Sequence, residues 1–183
     1  IPVPSDDPHQ RISNVEVSTT LPYRFTTEPK FGNRMVYLET RASAAELAVT
    51  IDYDVDRWVY QTSPEDLQTD GRAGLGEAVQ MTKYLEPSRL VVVNKQIREL
   101  EVRLSQGKVG TYVRARAFAD HILQEMTYGK PQDQPWGRGD TVYACEQCVG
   151  NCTDFHSYFI SLCRAAKIPA RFQIGLFGKY DKR

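Results

Sequence analysis

Residues 150–171 constrain this chain more than any other stretch. Gly150-Asn151-Cys152-Thr153-Asp154-Phe155-His156 opens the segment and Ile168-Pro169-Ala170-Arg171 closes it. The order predicts a tight turn, then a buried helix with a cysteine in its first turn, then a stop, then a strand. Counting from Cys152, positions i+3, i+4, i+7, i+8 and i+11 are Phe155, His156, Phe159, Ile160 and Cys163. All but His156 are apolar or sulfur-bearing, so they form a core stripe. Tyr158, Leu162, Ala165 and Ala166 add apolar surface on other sides, which predicts a helix central to its domain. Arg164 and Lys167 fall in the last turn, where cations suit the helix dipole. Pro169 ends the helix. Arg171 to Phe177 then reads as a strand.

A cysteine in the first turn of a helix has a chemical consequence. A free thiol ionises near ~8.5, and a helix N-terminus can bring a cysteine to roughly 3.5–7.5. The unpaired N–H groups of the first turn and the positive end of the dipole favour the anion. Gly150 permits unusual backbone angles and close approach of a substrate. Asn151 or Thr153 can cap. Cys152 is therefore the candidate nucleophile.

The neighbouring residues have competing readings. Cys145, Cys148, Cys152 and His156 are spaced as four potential zinc ligands, and Cys145-x2-Cys148 is also a redox spacing. The favoured reading leaves both outer thiols incidental in a surface loop and predicts no metal and no cofactor. Cys163 is expected to pack as a small hydrophobe. His156, one turn after Cys152, can touch or tune the thiol; the favoured reading is a satisfied polar residue near the cleft floor. Asp154 is expected to stabilise the helix start. Trp136, between Pro135 and Gly137, is expected to be exposed and to border the cleft or pack in its loop. Asp52, Asp54 and Asp56 lack the glycine a calcium loop needs and read as a solvated strand face.

Trp136-Gly137-Arg138-Gly139-Asp140, the Gly150–His156 block and the Ile-Pro-Ala-Arg ending together resemble the transglutaminase-like superfamily of papain-like cysteine enzymes, from about Thr111 to Gly178. The resemblance implies that Cys152 attacks a peptide or glutamine-type amide and forms a thioester resolved by water or an amine. It implies a base His and its Asp on strands following the helix. The chain ends at Arg183, so it is expected to be truncated before both. The resemblance also implies a protein or peptide substrate. A non-catalytic module binding protein or glycan on the same fold is the alternative.

The first half reads as β. Ile12 to Val17 is a short strand, Gly32-Asn33 supplies a turn before Met35 to Leu38, and Leu47 to Val55 alternates cleanly, with Trp58 and Tyr60 continuing past a bulge near Arg57. Thr69 to Glu77 reads as a glycine-rich loop. Helical periodicity starts after about Glu86: a mixed amphipathic segment holds Ile97, Leu100, Val102 and Leu104 and breaks at Gln106-Gly107. From Ala115, the next helix places Phe118, Ala119, Ile122, Leu123 and Met126 on one face and stops at Gly129-Lys130-Pro131. The expected architecture is α+β: an N-terminal immunoglobulin-like β domain over residues 1–85, then a partial papain-like transglutaminase core over 86–183.

Charge removes one class of partner. Lys plus Arg and Asp plus Glu number 23 each, giving zero net charge, where nucleic-acid binding needs a basic surface. No run is long and apolar enough to span a membrane. The compartment is open, with a bacterial, extracytoplasmic (periplasmic or secreted) setting the favoured expectation. Oligomeric state is not legible.

Overall fold

The computed structural model describes residues 1–40, 47–63, 81–131 and 135–175. The predicted glycine-rich loop at Thr69 to Glu77 lies outside them. The described residues divide into one unit within residues 1–62 and a second within residues 63–175.

In the first unit the described strands form two antiparallel pairs. β1 (Gln10–Thr19) pairs with β4 (Val49–Arg57), and β2 (Tyr23–Thr27) pairs with β3 (Arg34–Leu38). The alternation from Val49 has its physical basis here. Val49, Ile51 and Tyr53 are half-buried, while Asp52, Asp54 and Asp56 face solvent as a charged strand face. The irregularity lies in β1, between Ser13 and Glu16, and not near Arg57. Asn14 takes it up with a left-handed backbone and donates to Asp54 Oδ2 at 2.6 Å. Strand β4 ends at Arg57; Trp58 and Tyr60 lie beyond it, with Tyr60 stacked on His9. Gly32, at φ +79°, makes the β2–β3 turn that its sequence demands. Residues 1–3 lie along the outer edge of β3, with Val3 N–H donating to Arg34 O and Val36 N–H to Ile1 O.

The second unit holds four described helices: α1 (Lys95–Ser105), α2 (Thr111–Glu125), α3 (Thr141–Gln147) and α4 (Cys152–Ala165). The two-residue strands β5 (Thr127–Tyr128) and β6 (Val149–Gly150) pair in parallel. Helix α4 packs against α1, α2, α3 and β6. Its predicted central place follows from its apolar surface on several sides. Ile97, Leu100, Phe118, Ile122, Met126, Ala144, Tyr158, Leu162 and Cys163 make the core. Burying a side chain of that size stabilises by ~1.5–3 kcal/mol.

Several predicted faces are corrected. Val102 and Leu123 point outward, Leu123 being 70% exposed. Buried Glu101 faces inward on α1, because Arg114 of α2 meets its carboxyl at 2.8 Å and also reaches the Ala166 carbonyl. That bridge ties α1 and α2 to the end of α4. Helix α2 ends at Glu125, ahead of the predicted stop at Gly129, because Thr127 and Tyr128 leave it to pair with β6. Residues 171–175 form no strand, and Leu176 and Phe177 lie outside the described residues. Alternation supplied the period of a strand there, but the described residues provide no ladder partner for it.

Candidate functional site around Cys152

Cys152 is the first residue of α4 and is exposed. Asn151 caps the helix: its side-chain oxygen accepts from Thr153 N–H at 2.9 Å, and its own N–H donates to Asp154 Oδ2 at 2.9 Å, which closes a capping box. Asn151 Nδ2 donates to the Gly137 carbonyl at 2.9 Å. Among the described residues nothing accepts from the Cys152 N–H. The residue thus presents a thiol and a free N–H donor on a rigid, capped helix start.

Asp154 holds this arrangement in place. It is 0% exposed. Besides Asn151, it accepts from Gly139 N–H at 2.8 Å through Oδ1. Both loops that flank Cys152 are therefore fastened to one carboxyl group. The packing is tight enough to dictate the glycines. A Cβ on Gly150 would stand 2.5 Å from the Asp154 Cβ, and one on Gly137 would overlap its carboxyl oxygens. Gly139, at φ +76°, lies against Thr153. Asp140 then caps α3 by accepting from Val142 and Tyr143 N–H. Residues 136–140 and 150–156 are two halves of one structure, joined at Asp154.

The transglutaminase-like superfamily matches residues 98–182, a span that contains all of these groups. The match covers 85 of the 183 residues and is confined to the second unit and the chain's end. A crystal structure of a candidate cysteine protease from Cytophaga hutchinsonii is similar with a TM-score of 0.62 and 21% identity, over 90% of this chain and 56% of that one. At this identity the likeness establishes the fold: an α+β chain with a transglutaminase-like core. This chain spans little more than half of that relative. A candidate protease from Parabacteroides distasonis has a TM-score of 0.35 and 14% identity, over 87% of this chain and 30% of that one, too low to support an argument. No curated protein matches the chain.

Within the transglutaminase-like segment, His156 does not use Nδ1 on the thiol. That atom meets the Cys152 carbonyl oxygen at 2.5 Å, and the ring packs edge-on against Phe172. Trp136 is 49% exposed and leans on Tyr128, which in turn meets Phe155, with ring centroids 6.2 and 6.3 Å apart. Tyr128 lies beside Gly150 in the β5–β6 pair, and Phe155 is one turn along α4 from Cys152. These aromatics therefore sit on the elements that frame the thiol.

Cys145 and Cys148 are not in a surface loop. Cys145 is in the last turn of α3 and Cys148 is its C-cap; both are half-buried. Among the described residues, no group of three or more His, Cys, Asp and Glu side chains is arranged to share a metal. Cys163 is buried in the core, and burial pushes its thiol up to about 12. Among the described residues no helix is long and apolar enough to cross a membrane.

Sequence reasoning missed two features of the site. One is the burial of Asp154. The other is the contact of α3 with α4: Thr141 Oγ1 bonds Ser161 Oγ at 2.6 Å and the Ser157 carbonyl at 3.1 Å, all buried. Ser157 and Ser161, four apart, were a usable signal of a small-residue face that lets a second helix approach.

Proposed function

We propose that this chain carries the nucleophile of a cysteine-dependent enzyme that hydrolyses or transfers peptide or glutamine-type amides. The observation that carries the reading is the exposed thiol of Cys152 beside its own N–H, which meets no acceptor among the described residues, on a helix start fixed by Asn151 and buried Asp154, inside a segment similar to transglutaminases. In the proposed reaction the Cys152 sulfur attacks the amide carbonyl carbon and the carbon–oxygen double bond opens. The Cys152 N–H faces the developing oxyanion, as a preorganised donor does. The amine then leaves with a proton, and the resulting thioester is resolved by water or by an amine. The base that moves that proton, and the Asp that orients it, are assigned to residues outside the described region, following the family resemblance. His156 is not assigned that role, since its ring is held against the backbone of the same helix turn.

For the N-terminal unit we propose an immunoglobulin-like β fold on the strength of its antiparallel pairs. Whether water or an amine resolves the thioester is left to the substrate assay. The test uses the full-length protein with a casein or glutaminyl-peptide donor, with and without a primary amine. Amide cleavage or amine incorporation should fall by at least ~10³-fold in Cys152→Ala and persist in His156→Ala. Full activity in Cys152→Ala would remove the nucleophile assignment, and no activity in the unmodified protein would leave the binding module as the better reading.

A further inference from the structure

A second sulfur site lies outside the Cys152 cleft. Cys145 Sγ has two hydrogen-bonding neighbours from two other helices. Gln96 Nε2 of α1 donates to it at 3.3 Å, and its S–H donates to the Tyr158 hydroxyl oxygen of α4 at 3.4 Å. Tyr158 is buried, and its hydroxyl also lies 3.5 Å from His121 Nε2. Burial and the neighbouring thiol raise the Tyr158 pKa, so it keeps its O–H proton at neutral pH and can donate it to His121. Burial lowers the His121 pKa, so its ring is uncharged there and can accept. Gln96 is thus placed to hold a sulfur atom that carries negative charge, while the Tyr158 oxygen accepts from the neutral thiol.

The second thiol of the pair follows one turn after the first and faces its backbone carbonyl. The turn of α3 continues through Cys148, whose N–H donates to Ala144 O at 3.1 Å, and Cys148 Sγ lies 3.7 Å from the Cys145 carbonyl oxygen. Residues three apart on a helix have Cβ atoms roughly 5–6 Å apart, and a disulfide requires about 3.5–4.5 Å. Forming the bond therefore requires this turn to tighten. Cys148 ends the helix with a left-handed backbone at φ +51°, outside its regular turns.

We propose that Cys145 and Cys148 form a redox-modification site that a hydroperoxide converts to an intrachain disulfide. Cys145 loses its proton to solvent, and its sulfur attacks a peroxide oxygen. The O–O bond breaks, hydroxide leaves, and Cys145 becomes a sulfenic acid. Cys148 sulfur then attacks Cys145 sulfur. The S–O bond breaks, and the hydroxyl leaves as water with the Cys148 proton. The two thiols give up two electrons, and the peroxide is reduced. The site does not depend on Cys152 being catalytic. It does lie at the root of β6: the Cys148 carbonyl accepts from Thr127 N–H at 2.9 Å, and Val149-Gly150 leads directly into Asn151.

The experiment treats the full-length protein with hydrogen peroxide and maps thiols by mass spectrometry, in the unmodified sequence and in Cys152→Ala. A Cys145–Cys148 disulfide should form in both and reverse with dithiothreitol. Cys148→Ser should stop at a sulfenic acid on residue 145, trapped by a cyclic diketone. Gln96→Leu, which removes the donor to the Cys145 sulfur, should slow disulfide formation several-fold. The proposal is overturned if peroxide leaves the pair as free thiols, if it drives both to sulfinic acid with no disulfide, or if Cys148 pairs with Cys152 in the unmodified protein. Because the unmodified protein gives the primary result, a variant that fails to fold does not rescue the proposal.

Discussion

The two ends of α4 are each held by a buried charged side chain, and they are held in different ways. At the N-terminus Asp154 is short and fully enclosed. Its carboxyl group binds two backbone N–H groups, from Gly139 and Asn151, and glycines at 137 and 150 close over it. At the C-terminus Arg164 is long and reaches outward to two carbonyls, Tyr84 O and Ala170 O, each at 3.0 Å. A short side chain in a glycine cage fixes position to a fraction of an ångström. A long side chain joins segments without that precision. The precise end carries the exposed thiol, Cys152, and the stapled end carries the buried one, Cys163.

That contrast can be broken by substitution. Asp154→Ala should cause the largest loss, about 3 kcal/mol in urea unfolding, because two buried N–H groups lose a charged acceptor. Gly150→Ala should cost about 2 kcal/mol by overpacking the same cage. Both should also change the alkylation rate of Cys152. Neither a normal stability nor an unchanged thiol would fit a cage that sets the site.

Alkaline titration sharpens the contrast from the other end. The Cys163 pKa is raised by burial from 9.0 to about 12. Its neutral form is favoured in the fold, so the stabilisation is complete below pH 9 and is lost as pH rises through the folded value. Stability should fall between pH 9 and 12 by up to roughly 1.4 kcal/mol per pH unit, and Cys163→Ala should lack the part seen between pH 9 and 10. Tyr158, also raised, adds a loss of the same sign at higher pH. An identical pH profile in Cys163→Ala would contradict the burial argument.

Arg164→Met keeps the stem and removes the head group. The expected cost is about 1–2 kcal/mol for two carbonyls left without their donor, with Cys152 alkylation unchanged. A slowed Cys152 would mean that the two ends are not independent. Trp136→Ala, at a half-exposed aromatic, should change stability by no more than about 0.5 kcal/mol. If it costs several times that, the aromatic group with Tyr128 and Phe155 is part of the core.

The legible parts of this protein were those whose causes are local in sequence. The cap, narrowed to Asn151 or Thr153, the first-turn Cys152, the apolar β4 alternation and the Gly32 turn each depend on neighbours within a few residues. Asp154 looked like an ordinary first-turn acid because its cage comes from Gly137 and Gly139, in another loop. Arg164 looked like a dipole partner because Tyr84 is 80 residues away. Leu123 fitted a helical template whose apolar arc was wider than the face that α2 buries. The strand expected at 171–175 had a period and no described ladder partner, and a period alone makes no sheet.

The central claim is that Cys152 is the reactive thiol of this fold. Competitive labelling with limiting iodoacetamide, read out by peptide mapping of Cys145, Cys148, Cys152 and Cys163, tests it most directly. The account predicts that Cys152 is modified first, the two half-buried thiols of α3 later, and Cys163 only on unfolding. Modification of Cys145 or Cys148 ahead of Cys152 would contradict it.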